Sequence, residues 1–364
     1  MQRELEIGAE QAEATAPRST GEASPSGGRG RDEGAGPRAW RLARWEVGLL
    51  VATAATVVLG VTTSSQFLGS YNIFSVGLSN GEVAIMTLPT ALIVIAAEID
   101  LSIASTLALA SSVLGYLWMH GWPMPGAIVA VLVLGGFLGL LNGLLVTRLG
   151  LPSLAVTIGT MTLYAGIAEI VLGSTIVADF PSTYTTIGVD AFPHTDLSYS
   201  AVIFVLLAVI FGVVLHATPI GRSIFAIGAN QEAALFAGIR VKRVKTGLFV
   251  VSGLIGALAG VLYTLRLNTA EYDNGSGLIL SVVAIVLLGG VSIFGGKGSL
   301  VGVFLAVLVF AGLQDALLLT NFPEDATDTV AGGLLLVSVL VPYVGGVLSR
   351  LRRSTARRQL GSAP

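Results

Sequence analysis

TPIGRSIFAIGANQEAALFAGIRVKRVK, residues 218–245, holds five of the chain's twenty lysines and arginines between two long apolar segments. That charge sits in a 364-residue chain that is 53% hydrophobic and 12% charged, with a mean hydropathy of +0.82. Ordinary soluble domains are about a quarter charged, so the composition describes an integral membrane protein and makes this stretch a polar connection between crossings. Glycine occupies 46 positions, roughly twice the average usage of about 7%, as suits helices that approach closely in lipid. Cysteine is absent, which excludes a disulfide framework, a thiol nucleophile and a thiolate metal site.

Outward from this loop, the chain from Glu46 to Leu348 is a succession of apolar runs. A run of about 20 residues crosses a hydrocarbon core of about 30 Å as a helix. The runs predict an all-α, polytopic helix bundle of about ten crossings, at 46–64, 80–97, 102–120, 124–147, 153–177, 199–216, 246–266, 278–293, 299–320 and 326–348. Very short connections join the second to the third, the third to the fourth and the eighth to the ninth. A count of eight or nine with broken or re-entrant segments is therefore also open. Residues 1–44, with stretches such as SPSGGRGRDEGAGPR, carry almost no bulky apolar side chains and read as a disordered cytoplasmic tail. No apolar segment follows the first charges, so the tail is not a signal peptide. The transmembrane domain is expected over 45–348, with a cytoplasmic loop at 217–245 and a basic cytoplasmic tail at 349–364.

Charge orients this arrangement. With Arg38, Arg41 and Arg44 cytoplasmic, ten crossings put Arg148, the 217–245 loop, Lys297, Arg350, Arg352, Arg353, Arg357 and Arg358 on the same side. Arg266 is the exception. The outer connections carry acids instead: Asp179, Asp190 and Asp196, then Glu271 and Asp273, then Glu324, Asp325 and Asp328. Both termini are thus expected in the cytoplasm. The C-terminal arginines follow the last crossing directly, which makes them membrane-surface anchors and not nucleic-acid contacts.

Inside the loop, Asn230 is placed to cap a short helix with Glu232 in its first turn, and Gly238 to stop it after AALFA. About two helical turns are marginal alone in water, so this helix needs a surface. One reading is a positive-inside loop resting on lipid headgroups. The other is a docking helix for a cytoplasmic partner, favoured by the punctuation at Gly221, Gly228 and Gly238 and by Leu235 and Phe236 presented between them.

The run GGVSIFGGKGS does not satisfy G-x-x-x-x-G-K-[ST], because Val291 stands at the first Gly position and Gly298 follows Lys297. It reads as a tight cytoplasmic turn, and this chain binds no ATP through it. Asp100 precedes the third crossing and either caps that helix or borders a transport path. Glu169 and Asp315 lie within crossings, where a charged side chain costs at least ~2.5–3.5 kcal/mol and faces the bundle interior or a watery cavity. Each is either a structural hydrogen-bond partner or a substrate contact. Asn142, Thr157, Thr160, Thr162, Tyr164 and Gln314 offer the hydroxyl and amide groups that a polar solute needs, although Ser and Thr also serve as glue between helices. His120, His194 and His216 lie at different membrane ends with no metal-ligand spacing, and no catalytic constellation is visible.

Five ordered blocks carry a family resemblance. GRSIFAIGANQEAALFAGI, through Gly221, Arg222, Ala226, Ile227, Gly228, Asn230, Ala233, Ala234, Gly238 and Ile239, resembles the cytoplasmic loop of permease subunits of ribose-type ATP-binding-cassette sugar importers. EIDLSIAS at 98–105, NGLLVTRLGLPSLAVTIGTMTL at 142–163, NGSG at 274–277 and VVAIVLLGGVSIFGGKGSLVG at 282–302 follow in the family's order. The resemblance spans about residues 75–345 and is nearest in look to the rhamnose and autoinducer-2 branch. Glu98 stands where most ribose-type members have Gly, Ala104 replaces a second Gly, and Ile279 replaces a common acid; these changes bear on the substrate more than on the architecture.

The resemblance implies a bacterial cell-membrane permease and not an enzyme, importing a monosaccharide by alternating access. It implies a coupling helix at 230–238 that sits in a groove of a cytoplasmic ATPase subunit. Gly221, Arg222, Gly228, Asn230, Glu232, Ala233, Ala234, Leu235, Phe236 and Gly238 would make or shape that contact. ATP and magnesium would be held by the ATPase, with no cofactor in this chain. The remaining partners would be an extracytoplasmic sugar-binding protein and a second permease copy or paralogue. Asp100, Asn142, Thr157, Thr160, Glu169, Gln314 and Asp315 remain the candidates for the substrate path. A permease of the same architecture for branched-chain amino acids or nucleosides is the nearest alternative; an ion-coupled secondary transporter using Glu169 or Asp315 is the more distant one.

Overall fold

A computed structural model describes residues 38–320, with side chains from residue 45 onward, and single positions at 329, 332, 333 and 336. The expected tenth crossing at 326–348 falls outside the described residues apart from those four positions. Residues 1–37, the tail at 349–364 and the acids Glu324, Asp325 and Asp328 lie outside them as well. Among the described residues the protein is helical throughout, with two strands of two residues each. The helices are α1 (Arg38–Thr63), α2 (Ser70–Ile95), α3 (Ile103–Met119), α4 (Met124–Thr147), α5 (Ser153–Leu172), α6 (Ser182–Val189) and α7 (Tyr199–Ala217). They continue with α8 (Pro219–Ala229), α9 (Gln231–Phe236), α10 (Val241–Leu267), α11 (Leu278–Leu288) and α12 (Leu300–Leu318). Seven of these, α1, α2, α4, α5, α7, α10 and α12, are long and apolar enough to cross a membrane.

The two remaining apolar helices correct the expected spans. α3 has 17 residues, whereas α11 has 11 and ends at Gly289–Gly290 instead of running to 293. At 1.5 Å per residue α11 covers only about 16 Å, roughly half the hydrocarbon core. The stop is conformational: Gly290 takes φ +82°, and Gly277 before the helix takes φ +83°, both in the left-handed region that favours glycine. α5 likewise ends at Leu172 rather than 177, because Gly173 caps it at φ +59° and the chain turns into the strand β1 (Val177–Ala178). β1 pairs antiparallel with β2 (Thr269–Ala270), in the register Val177↔Ala270 and Ala178↔Thr269, tying the end of α5 to the end of α10. α1 takes in residues 38–44, expected in the tail, and α10 takes in Lys242, Arg243 and Lys245, expected in the loop. α6 was not anticipated; it lies on the end of α10, where a Cβ on Gly188 would meet the Leu265 carbonyl carbon at 2.4 Å.

α2 and α10 form the centre. Val83–Ile95 of α2 is buried without interruption, and the main core joins it to Leu248, Phe249, Ile255, Ala259 and Leu262 of α10 and to Val303, Ala306 and Phe310 of α12. α4 packs on α10 along a seam of small residues: a Cβ on Gly139 would lie 2.1 Å from the Phe249 carbonyl oxygen, and one on Gly253 at 2.1 Å from that of Gly135. Backbones meet there directly, which only glycine permits. Large apolar side chains on the outer faces, such as Val133 and Phe137 of α4 and Leu206 and Val209 of α7, remain exposed, as helices surrounded by lipid require.

Candidate docking and transport sites

The charged loop of residues 218–245 folds into two short helices in front of α10. Thr218 caps α8, its Oγ1 accepting from Gly221 N–H at 3.4 Å, with Pro219 at the first helical position. Asn230 caps α9 as expected, Oδ1 accepting from Ala233 N–H at 3.0 Å, with Glu232 in the first turn. Gly238 follows the helix at φ +80°. Gly221 and Gly228 serve close approach instead: a Cβ on Gly228 would stand 1.8 Å from the Ile95 carbonyl oxygen and 2.5 Å from Gly296 N. Ile95 O also accepts from Gly296 N–H at 2.8 Å. The end of α8 is thereby seated on the end of α2 and on the turn before α12. Ala234 is buried with Ile227 and Val241, so α9 rests on α8 and α10 with its other face outward. On that face Leu235 is 63% and Phe236 91% exposed; Arg222, Glu232 and Ala233 are exposed as well.

The turn of residues 292–297 adds to this surface. Ser292 N–H donates to Lys297 O at 3.0 Å, Gly295 and Gly296 take positive φ, and the tip presents Ile293 and a 90% exposed Phe294. In sequence only the pairing of two apolar residues with five nearby glycines marks the spot.

The connector between α2 and α3, residues 96–102, is gripped from three helices, α4, α5 and α10. Ala97 takes φ +59°, a conformation usually left to glycine at a helix C-terminus. Lys245 of α10 makes an ion pair with Glu98 and donates a second hydrogen bond to Gln231 Oε1, the first residue of α9. Ile99 N–H donates to Ser153 Oγ at 3.1 Å, and Thr157 Oγ1 donates to Ile99 O at 3.2 Å, so α5 holds both backbone groups. Asp100 is buried. Its Oδ1 accepts from Ser102 N–H at 2.9 Å and Ser102 Oγ at 2.7 Å, and its Oδ2 from Ser252 Oγ of α10 at 2.6 Å. Burial pushes the Asp100 carboxyl above its usual range, against the opposing pull of the Ser102 and Ser252 hydrogen bonds. Asn142 Nδ2 donates to Ser102 Oγ at 2.8 Å, and Tyr164 OH donates to Leu138 O at 3.1 Å and lies 3.3 Å from Asn142 Oδ1.

The candidate path residues therefore separate. Asp100, Asn142, Thr157 and Tyr164 spend their polar groups on Ser102 and Ser252, on neighbouring backbone and, for Tyr164 and Asn142, on each other, and Thr160 donates to Thr157 O at 3.4 Å. Asp315 is buried and accepts from Asn72 Nδ2 of α2 at 2.5 Å, a bond between two helices beside an apolar cleft. Gln314 is half-buried on α12. Glu169, together with Thr162, borders an open cavity of about 560 Å³ between α3, α5 and the segment before α11, whose wall also holds Tyr272, Asp273 and Ser276. This face of α5 is built from Thr162, Ala165, Gly166 and exposed Glu169. Arg266, the one cation expected on the outer side, donates through Nε to Glu82 Oε1 at 3.1 Å and lies 4.9 Å from the centre of the Tyr263 ring. The pair partly neutralises a carboxylate that is 1% exposed in the middle of α2.

Residues 72–339 match the family described as branched-chain amino acid transport system / permease component. Among curated proteins, the chain is 32% identical over 291 residues to the autoinducer 2 import system permease protein LsrD of Escherichia coli O9:H4 strain HS, covering 78% of this chain and 87% of the relative. The same protein of Escherichia coli K12 and that of Shigella flexneri match with equal identity and coverage. No solved structure matches.

Proposed function

We propose that this chain, which belongs to the family of branched-chain amino acid transport system permease components, forms the path by which a sugar-sized polar solute of the autoinducer-2 or monosaccharide kind enters the cell, driven by ATP hydrolysis on a partner subunit. It is a multi-pass membrane permease of the importer type. The observation that carries the partner is α9: a capped helix, resting through Ala234 on α8 and α10, that turns Leu235 and Phe236 outward. Docking on an apolar groove explains two large exposed apolar side chains on a polar loop; headgroup binding by the cations alone does not.

About ten crossings with both termini cytoplasmic remains the proposed topology, and the Arg266–Glu82 pair supports it by giving the single outer cation a partner. The face of α5 with Glu169 supports a second permease copy or paralogue across the path, since an acid exposed on a membrane helix needs water or protein, not lipid. An extracytoplasmic binding protein would deliver the solute. In this reading the coupling residues run from Gly221 to Gly238, and Glu169 and Thr162 border the path. Purification of the tagged protein from its native membranes tests the docking: an ATPase subunit copurifies with the wild type and is lost from Leu235→Asp/Phe236→Asp. Competition of uptake by sugars against branched-chain amino acids or nucleosides decides the substrate class.

A further inference from the structure

We propose that the contact of Lys245 with Glu98 and Gln231 is the joint that passes displacement of α9 to the helices lining the path; this rests on the docking reading of α9. Three observations meet at this ammonium group. Lys245 is 6% exposed, although it belongs to the cation-rich run that ends the loop, so it was not placed for headgroup contact. It holds two acceptors at once, Gln231 at the start of the docking helix and Glu98 in the α2–α3 connector. Beyond Glu98, α5 holds Ile99 through both backbone groups, and α10 holds Asp100 through Ser252. The connector opens with Ala97 in the left-handed region, a conformation with little freedom for a residue bearing a Cβ. A stiff connector passes on a displacement where a slack one would absorb it.

The route is short and continuous. A shift of α9 draws Gln231, Lys245 follows with the first turns of α10, and Glu98 carries the change to Ile99 and so to Ser153 and Thr157 on α5. α5 is the helix that bears Thr162 and Glu169 on the open cavity. A second cavity, of about 440 Å³, is bordered by Glu98, Gln231 and Lys245 together with Arg148 and Lys242. It leaves room for the joint to change partners without repacking the core. Glu98 and Lys245 are positioning residues in this scheme, since neither touches the solute.

The test is the number of solute molecules imported per ATP hydrolysed by the complete complex in vesicles. A single replacement would leave a buried charge unpaired and confound folding with function, so the informative variant removes both charges, Glu98→Gln with Lys245→Met. The expected result is a complex that assembles with its ATPase and hydrolyses ATP while import per ATP falls about tenfold, the range of an ordinary coupling between sites. The reversed pair, Glu98→Lys with Lys245→Glu, is expected to recover part of that loss. Gln231→Ala, on an exposed backbone position, lowers the same ratio more mildly and keeps the inference testable if the double variant fails to assemble. A wild-type ratio in the assembled double variant, or in Gln231→Ala, overturns the joint while leaving docking intact. Failure of any ATPase to copurify with the wild type overturns docking and the joint with it.

Discussion

α10 carries a buried ion pair near each end, and the two are built differently. Near its C-terminal end, the outer one in the proposed topology, Arg266 pairs with Glu82 of α2, helix to helix, with the Tyr263 ring beside the guanidinium. A cation in the last turn is also favoured by the helix dipole. At the other end, the inner one in that proposal, Lys245 lies close to the helix start, where the dipole disfavours a cation. It meets a connector and a six-residue helix instead of another long helix. The outer pair clamps two long rods; the inner pair links three separate parts, α9, α10 and the connector. Similar chemistry gives a fastener in one place and a joint in the other, and the difference lies in what each partner is attached to.

The largest effect separates them by stability. Arg266→Met strands Glu82, which is 1% exposed, and is expected to cost about 3–5 kcal/mol, the range for breaking a buried pair. Lys245→Met, whose partner side chain is 13% exposed, is expected near the low end of that range or below it. Denaturant titration of the two variants in one detergent measures both. Adding Glu82→Gln to the outer variant restores stability and transport together; adding Glu98→Gln to the inner one restores stability alone. Equal rescue of transport at both ends would erase the distinction.

Gly228→Val comes next. Its Cβ would press on backbone atoms of Ile95 and Gly296, so the seat of α8 must shift, at about 1–3 kcal/mol. The chain is expected to insert and to lose most uptake. Gly238→Val meets no neighbour within 4 Å and carries only the strain of positive φ, about 1–2 kcal/mol, so its uptake falls less. Transport assays on matched amounts of inserted protein compare the two. The smallest effect is Ala97→Gly. Relief of the left-handed strain is expected to leave stability within about 1 kcal/mol of wild type, while the looser connector slightly lowers import per ATP. A stiffer response from the glycine variant would count against the connector's role.

Much of this was legible along the chain. Asn230 and Gly238 framed α9 correctly because capping is a local matter of one side chain and a few backbone groups. The seven long apolar helices follow from runs that lipid selects by length. Boundaries fared worse where glycine conformation decided them: α11 stops at Gly289–Gly290 and α5 at Gly173 within sequences whose apolar character continues. The path candidates fared unevenly, since a threonine that glues helices and one that lines a channel are the same residue in sequence. Thr157 bonds Ile99 O, while Thr162 borders the cavity, and only packing distinguishes them.

The sequence by itself determined that this chain lives in a membrane and where a short capped helix interrupts the apolar runs, because each of these depends on neighbouring residues or on averages. Tertiary structure decided which charges meet. Lys245 and Glu98 are 147 residues apart and Arg266 and Glu82 184, and no local period relates them. Their pairing follows from the packing of α10 against α2 and the α2–α3 connector, where removing one partner of a buried pair is strongly destabilising.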